Sequence, residues 1–287
     1  MAGGRAVDVR PATEDDVPAI RSILAAHGND GAILFGDVVG PYLRHLIAHG
    51  RARVAVEDGE IVGYGATIDA GAAVHLADLF VRPDRLGQGI GRPLLAEAFG
   101  DASRRTTFAS DDPRALPIYV RAGMRPFWAS LYIEGPARLL PAPPSSLTTR
   151  TMTADELAAQ ELAWSGHDRS ADWSHWTTAV AADSFAVLDG DAVVAIGTAR
   201  SRQASPVRAL SRLVIHPDGG VDPIPPTLVA LRRAGGDGSV LAAVQGPSPV
   251  VRVLLDAGLR VADRDQYMAS EPDLIDPARL IPNSGML

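Results

Sequence analysis

The sequence has 287 residues, of which 46% are hydrophobic and 21% charged, and its formal net charge at pH 7 is −7. This length suits one large or two ordinary globular domains, while the negative charge argues against nucleic acid or an anionic membrane as a partner. The absence of cysteine excludes disulfides, a thiolate nucleophile and cysteine metal sites. No apolar segment approaches the ~18 residues of a membrane span, and the first residues lack the apolar centre of a signal peptide, so we expect a cytoplasmic protein.

The first elements in chain order are a short strand, a helix and a hairpin. V-D-V-R-P-A-T-E-D-D-V-P-A-I-R begins as a strand and then predicts a helix capped at Thr13, with acidic residues in its first turn. Asp58 and Gly59, between apolar runs, predict a tight hairpin turn. Next come the apolar strand L-A-D-L-F-V-R-P, which ends at Pro83, a glycine-rich loop, a helix, and the segment Y-V-R-A-G-M-R.

The same elements return in the same order in the second half of the chain. A strand and a capped helix follow from Thr149, and a second hairpin is predicted around Asp189 and Gly190. L-S-R-L-V-I-H-P, ending at Pro217, and L-L-D-A-G-L-R then repeat the later segments. Five features in one order predict an internal duplication. The predicted fold class is therefore α/β with a mixed α+β sheet, in two tandem domains.

The domain boundaries follow from this repeat. Residues 1–135 form the first predicted domain and residues 149–287 the second. The stretch 136–148 is rich in proline and serine, which suits an ordered, non-helical linker. The tail beyond about Ser270 has no partner in the repeat, and we expect it to cover an interface or a site.

The loop D-R-L-G-Q-G-I-G, from Asp84 to Gly91, places three glycines at alternate positions between the strand and the helix. Such a loop turns sharply, and free N–H groups at the positive end of a helix bind phosphate. The loop departs from the dinucleotide-binding fingerprint, which follows the first strand of a unit and requires a later acidic residue, and from the P-loop, since no lysine follows. A plain turn is the alternative for glycines at this spacing.

L-A-D-L-F-V-R-P-D-R-L-G-Q-G-I-G-R-P-L-L closely resembles the central motif of the GNAT superfamily of N-acetyltransferases, in which an apolar strand and Val-x-Pro precede Arg/Gln-x-x-Gly-x-Gly/Ala at the start of a helix. S-D-D-P-R-A-L-P-I-Y-V-R-A-G-M resembles a later family motif, Asn-x-x-Ala-x-x-Leu-Tyr-x-x-x-Gly-Phe. The resemblance covers most of residues 5–135, and the repeat over residues 148–270 makes the chain similar to a tandem GNAT protein. It implies acetyl-CoA, or coenzyme A with another acyl group, as the cofactor, and no metal.

The resemblance also implies that coenzyme A lies along the strand ending near Val81, with its pyrophosphate on the following loop. Two positions depart from the family motif: Leu86 stands where Arg or Gln is usual, and Asp112 where Asn is usual, which bears on affinity and cofactor preference. Because main-chain N–H groups hold most of the phosphate, the loop can still bind it. The predicted cofactor-binding residues are Leu79, Phe80, Val81, Leu86, Gly87, Gln88, Gly89, Ile90, Gly91, Arg92 and Asp112.

Two side chains are predicted to be catalytic. Tyr119 occupies the family's tyrosine position, and a phenol with a pKa of about 10 suits protonation of a departing thiolate; aromatic packing is the alternative role. Asp78 is the carboxylate nearest the reacting end of the strand, on the same predicted face as Leu76 and Phe80. It is the predicted base for the acceptor amine, with a structural or substrate-orienting role as the alternative, since water can also carry the proton.

Candidate acceptor contacts come from H-G-N-D-G-A-I-L-F-G-D, where His27, Asn29 and Asp30 are predicted to bind substrate and a cap or turn is the alternative. In the second half, W-S-G-H-D-R-S-A-D-W-S-H-W concentrates tryptophan and histidine. His167 and His175 have no third ligand at a recognisable spacing, so packing or a ligand wall is favoured over a metal site.

The second half is predicted to be inactive. Aligned from Pro83 and Pro217, its loop carries proline at three positions that hold N–H donors in the first half: Pro223, Pro225 and Pro226. Leu254 takes the place of Tyr119. We therefore expect the second half to be a structural mate that completes the pocket of the first.

The predicted function is transfer of an acyl group, acetyl above all, from coenzyme A to a primary amine of a small molecule. Two alternatives stay open: a non-catalytic acyl-CoA-binding sensor, and an acyl-CoA enzyme that uses a hydroxyl acceptor or decarboxylates the thioester. The identity of the acceptor is left open because pocket loops vary freely on one fold. So is the oligomeric state, either a monomer in the form of a pseudo-dimer or a homodimer.

Overall fold

The computed structural model describes residues 7–28, 39–110, 112–179, 182–202 and 205–287. The strands are β1 (Asp8–Pro11), β2 (Arg51–Glu57), β3 (Glu60–Asp69), β4 (Val74–Val81), β5 (Arg105–Ala109), β6 (Arg125–Pro136), β7 (Leu147–Thr151), β8 (Asp183–Asp189), β9 (Ala192–Arg202), β10 (Ser205–Ile215), β11 (Ser239–Gln245), β12 (Arg260–Ala269) and β13 (Leu280–Ile281). The α-helices are α1 (Val17–Ala26), α2 (Val39–His49), α3 (Gly91–Phe99), α4 (Ala115–Arg121), α5 (Ala154–Ser165), α6 (Ser170–Ser174), α7 (Ile224–Gly235) and α8 (Val250–Asp256). None of these helices is long and apolar enough to cross a membrane.

The strands form one mixed sheet that runs through both halves, in the order β1-β2-β3-β4-β5-β12-β6-β11-β10-β9-β8-β7, with β13 paired to β10. β12 of the second half pairs with β5, and β6 of the first half pairs with β11. β6 and β12 pair with each other in antiparallel orientation. The two halves therefore exchange their last strands about a pseudo-twofold axis near this pair. The arrangement confirms the predicted α/β class and the internal duplication.

Local signals in the sequence set the ends of several elements. The Thr13 N–H donates to Asp16 Oδ2 at 2.8 Å ahead of α1, and Thr153 forms the same kind of capping box with Glu156 ahead of α5. The first hairpin turns at Asp58 and Gly59 as predicted. The second turns at residues 190–191, one residue later than predicted, because Asp189 is still paired within β8.

The two faces of β3 separate two packing environments in the first half. Tyr64 belongs to a core that α1 and α2 share with α5 and α6 of the second half, and this side is called the shared-core face. Gly63 and Gly65 lie instead against Leu94 of α3, and this side is called the α3 face. Successive residues of a strand point to opposite faces, so the side chains of β4 are divided between these environments in the same way.

Candidate active site

The parallel strands β4 and β5 diverge in the middle of the first half. Their pairing ends at Leu76 and Thr107, whereas β4 continues to Val81. In the antiparallel register, the main-chain N–H and C=O groups of Phe80 point towards β3. Those of its neighbours Leu79 and Val81 therefore point into the gap between β4 and β5. This gap is called the first opening. It presents a strand edge that can hydrogen-bond to an extended ligand.

A β-bulge in β4 turns Asp78 towards the shared-core face. Asp78 pairs with Ala66 but Leu76 pairs with the next residue of β3, Thr67, so Ala77 is the extra residue. Leu76 packs on the α3 face, whereas Phe80 packs against the shared core. Asp78 thus shares a face with Phe80, as predicted, but the prediction that Leu76 lies on that face is wrong. The bulge interrupts the alternation on which the prediction depended.

The glycine-rich loop after β4 carries unused N–H donors. Gly87 and Gly89 have φ angles of 78° and 83°, a region that glycine adopts readily, and a Cβ on either would meet no atom within 4 Å. Among the described residues, the amides of residues 87–91 donate no backbone hydrogen bond, and α3 begins at the last of them. The loop therefore has the open space and the donors that a diphosphate requires.

The arginine side chains near the loop differ in whether they form ion pairs. Arg82 and Arg85 form ion pairs at 2.9 and 2.8 Å with acidic side chains of β3 and β2. Leu86, which stands where the family has Arg or Gln, packs against the apolar cluster under the loop. Arg92, in the first turn of α3, is exposed and has no ion-pair partner within the described part of the chain. Arg92 is thus the cation most readily available for a phosphate.

Tyr119 packs with Leu76 on the α3 face, at the point where β4 and β5 begin to diverge. Its side chain is buried, with 7% of its surface exposed. Burial raises the pKa of Tyr119 well above its usual value, and the charges of Asp78, Asp112 and Asp265 raise it further. The phenol therefore stays protonated at neutral pH, but it is a weaker acid than the phenol with a pKa of about 10 on which the prediction depended.

Asp78 lies on the other face, and its carboxylate is poorly solvated. Its Oδ2 atom is enclosed without a hydrogen-bond partner, although the residue as a whole keeps partial exposure beside the unpaired strand edge. Burial raises the pKa of Asp78 to about 7, an effect opposed by a hydrogen bond from Tyr42. The Tyr64 hydroxyl nearby is buried and also unpaired. A carboxyl group with a pKa near neutrality suits a general base.

The other predicted contacts lie at the far end of the first opening. His27 Nε2 donates to the Val81 carbonyl at 2.7 Å, so the imidazole contacts β4, and its role towards the acceptor stays a prediction. Asn29 and Asp30 lie outside the described residues. Asp112 accepts hydrogen bonds from the N–H and guanidinium of Arg114, which lower the pKa of Asp112 and fix the start of α4. The Asp112 carboxylate is therefore engaged in a turn directly before α4, and its role towards the cofactor stays a prediction.

The second half has a corresponding opening, but its own tail fills it. β10 and β11 pair in parallel as far as Leu210 and Ala242, and β10 continues to Ile215. The edge beyond this point is paired with β13, and the Ile215 N–H donates to the Arg279 carbonyl at 2.9 Å. By the repeat, these positions correspond to Leu79–Val81 of β4. A strand of the chain thus occupies the second opening.

The start of α7 confirms the loss of donors predicted for the second half. Pro223 caps the helix, and Pro225 and Pro226 stand in its first turn, where they supply no N–H. The Ile224 N–H is taken by Asp222 Oδ1 at 3.0 Å. The counterpart of the glycine loop therefore offers a diphosphate fewer free donors than the first loop does.

The segment rich in tryptophan and histidine, residues 164–176, forms part of the shared core. Trp173 and Trp176 pack around the Arg212 guanidinium, whose central carbon lies 5.1 and 4.9 Å from their ring centroids. His175 stacks on His45 of α2 at 4.6 Å between ring centroids. Within the described ranges, no three His, Cys, Asp or Glu side chains are grouped so as to hold a metal ion. Packing therefore accounts for Trp173, Trp176 and His175, whereas His167 is exposed.

Sequence reasoning missed several residues around Asp78. Tyr42 and Tyr64 come from α2 and β3, whereas His75 precedes Asp78 on its own strand, and no motif marks any of the three. One signal did exist in the repeat: L-A-D-L in the first half becomes L-S-R-L in the second, so that Arg212 stands where Asp78 does. A reversed charge at a repeated buried position indicates that the two halves use it differently.

Comparison with known proteins agrees with this geometry. The family model described as Acetyltransferase (GNAT) domain matches residues 38–133. A candidate acetyltransferase from Pyrococcus horikoshii is similar over 99% of this chain and 95% of its own, with a TM-score of 0.66 and 14% identity. A tandem GNAT protein from the clavulanic acid biosynthesis pathway is similar over 93% and 100%, with a TM-score of 0.61 and 16% identity.

A GCN5-related N-acetyltransferase from Sphaerobacter thermophilus is similar over 95% of this chain and 98% of its own, with a TM-score of 0.55 and 19% identity. No curated protein matches the chain in sequence. Residues 38–133 thus match an acetyltransferase (GNAT) domain, and the chain as a whole shares the fold of a tandem GNAT protein.

Proposed function

We propose that the first half transfers an acetyl group from acetyl-CoA to a primary amine of a small molecule, and that the second half has no acyl transfer of its own. One observation carries this proposal. Only the first opening combines a free strand edge, a loop of unused N–H donors, and titratable groups on both faces of the strand. The second opening has a paired edge and a proline-rich helix start instead.

Acetyl-CoA supplies an activated acyl carbonyl and carries a diphosphate. The N–H groups of residues 87–91 and the side chain of Arg92 suit the diphosphate, while the edge of Leu79 and Val81 suits the amide groups of an extended chain. β13 at the second opening supports this role of the strand edge, because its main chain makes the corresponding hydrogen bonds to β10. Leu86 contributes packing beneath the loop, so we expect main-chain groups to provide most of the affinity.

Asp78 and Tyr119 suit the two proton transfers of the reaction, one from the amine and one to the sulfur. Asp78 lies on the shared-core face, where a carboxyl with a pKa of about 7 can take the proton of an acceptor amine. Tyr119 lies on the α3 face, where a phenol that stays protonated can donate to the leaving sulfur. The acceptor would then approach from the shared-core face and the thiol would leave beside Tyr119.

Calorimetry followed by a turnover assay tests the proposal. Titration with acetyl-CoA should give one site per chain, and two equivalent sites would contradict the assignment to the first half. Release of free thiol with a broad panel of primary amines should identify an acceptor. Tight binding with no turnover across amines and alcohols would instead favour an acyl-CoA sensor.

A further inference from the structure

The hydroxyl group of Tyr42 lies between the candidate base and a residue of the second half. Tyr42, on α2, hydrogen-bonds to the Asp78 carboxylate, and its hydroxyl oxygen lies 3.4 Å from the Gly285 carbonyl oxygen. A phenol has one proton to donate, whereas the carboxylate and the carbonyl both accept. Tyr42 can therefore donate to either group, and one of these two acceptors comes from the second half.

The two acceptors suit the two protonation states of Asp78. Burial and the charge of Asp78 raise the pKa of Tyr42, so the phenol keeps its proton and donates it to the ionised carboxylate. Once Asp78 is protonated, its own O–H can donate to the Tyr42 oxygen, and the Tyr42 proton then needs another acceptor. The Gly285 carbonyl is within reach for this purpose. Because a poorly solvated polar group without a partner is costly, this arrangement suits a carboxyl group that takes up and releases a proton.

The other titratable groups around Asp78 do not supply such a partner. Tyr64 on β3 has a buried hydroxyl with no hydrogen-bond partner among the described residues, and Tyr119 on α4 lies on the opposite face. His75, earlier on β4, is engaged elsewhere. Within the described ranges, the hydrogen bond from Tyr42 is the one interaction that lowers the pKa of Asp78. Tyr42 is therefore the group that most directly controls this carboxylate.

His75 fixes the residue before Gly285. Burial lowers the pKa of His75 to about 4, so its imidazole is neutral at pH 7 and has one N–H group. Nε2 lies 3.1 Å from the Ser284 carbonyl, which can only accept, so Nε2 carries the proton. Nδ1 then accepts from the Thr106 hydroxyl at 3.0 Å. The first half thus holds the main chain next to Gly285 through a neutral side chain.

A buried bridge ties α2 to the residue after Gly285. His45 Nε2, one turn after Tyr42 on α2, lies 2.7 Å from Asp172 Oδ1. Arg169 donates to Asp172 Oδ2 at 2.8 Å and to the Met286 carbonyl at 2.6 Å. The side chains of the bridge are buried, so its hydrogen bonds are shielded from water. The bridge therefore fixes the helix that carries Tyr42 relative to residues 284–287.

We propose that Tyr42 is the positioning residue of Asp78 and that the Gly285 carbonyl, from the second half, is the second acceptor of the Tyr42 proton during the reaction of the first half. This proposal rests on the proposed function. In the transfer, the amine nitrogen bonds to the acyl carbon and the bond from that carbon to sulfur breaks. The amine proton passes to Asp78, and Tyr119 gives a proton to the sulfur. Tyr42 keeps its own proton and turns it from Asp78 to the Gly285 carbonyl.

An NMR titration of labelled aspartate carboxyl carbons tests the arrangement without substrate, with Asp78→Asn to assign the signal of Asp78. Tyr42→Phe removes the hydrogen bond that lowers the pKa of Asp78, so the midpoint should rise by about one pH unit or more. Tyr267→Phe removes a buried hydroxyl that has no partner, and it is the control that should leave the midpoint unchanged. An unchanged midpoint in folded Tyr42→Phe would overturn the proposal.

Gly285→Ala tests the contribution of the second half. The φ angle of Gly285 is not positive, and an added Cβ would lie 2.8 Å from the Tyr42 oxygen, so the phenol must withdraw. The pKa of Asp78 should rise in this variant, by less than in Tyr42→Phe, and Gly285→Ala should add nothing in a Tyr42→Phe background. Gly219→Ala, at a glycine with no atom within 4 Å of an added Cβ, is the matched control. No rise, or an equal rise in both backgrounds, would overturn the role of Gly285.

A turnover experiment separates this proposal from the one on which it rests. The acceptor is the primary amine that gives the fastest release of thiol with the wild type. The fall of kcat/KM at low pH should move to higher pH in Tyr42→Phe and Gly285→Ala by the same amount as the NMR midpoint, while the affinity for acetyl-CoA holds. Unmoved pH profiles would overturn the positioning role and leave amine acetylation standing. If no amine is acetylated, the proposed function fails, and the NMR titrations still decide the arrangement of Tyr42 and Gly285.

Discussion

The two openings of the sheet lie between corresponding pairs of strands, β4 and β5 in the first half and β10 and β11 in the second, and they differ in what borders them. In the first half, no described strand pairs with the edge of β4 beyond Leu76, although His27 donates to the Val81 carbonyl there, and the N–H groups of the following loop have no partners among the described residues. In the second half, the corresponding edge of β10 is paired with β13, and prolines stand at the start of α7. The pairing of the parallel strands ends at the corresponding place in both, at Leu76 and at Leu210.

The comparison indicates that divergence of two parallel strands is not sufficient to form a binding site for acetyl-CoA. The second half keeps the divergence, and its strand edge is satisfied by the chain itself. A ligand there would have to displace a strand and would find fewer N–H donors for a diphosphate. Under the proposed function, binding of acetyl-CoA depends on the loop and on an unfilled strand edge, two features that the two halves do not share.

The largest effect is expected when the first loop is made like the second. Gly89→Pro removes one N–H donor and cannot keep a φ of 83°, so acetyl-CoA binding should become undetectable by calorimetry while circular dichroism shows an intact fold. Gly89→Ala is the matched variant, because alanine keeps the N–H and only strains the backbone by about 1–2 kcal/mol. It should bind about 5- to 30-fold more weakly than the wild type, the fold-change that corresponds to this strain. Unchanged affinity in folded Gly89→Pro would show that the phosphate site lies elsewhere.

The next largest effect concerns the acid. Tyr119→Phe keeps the ring packing and removes the proton, so kcat should fall by about 10²-fold or more while the affinity for acetyl-CoA holds. Tyr267→Phe removes another buried hydroxyl that has no partner and serves as the control, with kcat unchanged. Normal turnover in Tyr119→Phe would leave Tyr119 a packing residue and water the proton donor.

The third expected effect is a change in pH dependence. With the pKa of Asp78 at about 7, kcat/KM should fall as pH drops through 7, and Asp78→Asn should lower the rate by about 10²-fold and abolish this limb. Asp265→Asn is the control, because burial also raises the pKa of Asp265, to about 6. If the fall of kcat/KM at low pH disappears in Asp265→Asn and persists in Asp78→Asn, the titrating group is Asp265 on β12 and not Asp78.

Asp78 should also reduce stability at alkaline pH. Its pKa is higher in the folded chain than the ordinary value of 3.8, so the folded state binds more protons between these values and loses stability as pH rises towards 7. At pH 8 the free energy of unfolding of Asp78→Asn should therefore exceed that of the wild type by on the order of 1–3 kcal/mol, with a smaller difference at pH 5. Denaturant titrations at the two pH values measure this, and no gain at pH 8 would show that the carboxylate is well solvated.

The smallest expected effect is that of the exposed cation beside the loop. Arg92→Met should weaken acetyl-CoA binding by about fivefold at low salt and less at high salt, since an exposed charge contributes about 1 kcal/mol and is screened. Arg252→Met, at an exposed arginine of α8, should leave binding unchanged. Equal effects of the two substitutions would indicate a general charge effect and no contact with phosphate.

Much of the candidate site follows from short segments of sequence. Glycine at positions 87 and 89 is required by a loop with positive φ, and proline at 223, 225 and 226 removes donors wherever the helix begins. The repeat of these segments predicts two copies of one fold. Such inferences succeed because they depend on the backbone chemistry of single residue types, which holds in any tertiary setting.

The tertiary structure decided what no short segment contains. The bulge at Ala77 turns Asp78 to the shared-core face, and the exchange of β6 and β12 brings strands of the two halves together across the pseudo-twofold axis. β13 fills the second opening, and residues 284–287 reach Tyr42 from the far end of the chain. The strand exchange and the tail contacts join residues that are distant in the sequence. They depend on which edges and pockets remain after the rest of the chain has packed, and local sequence carries no record of that.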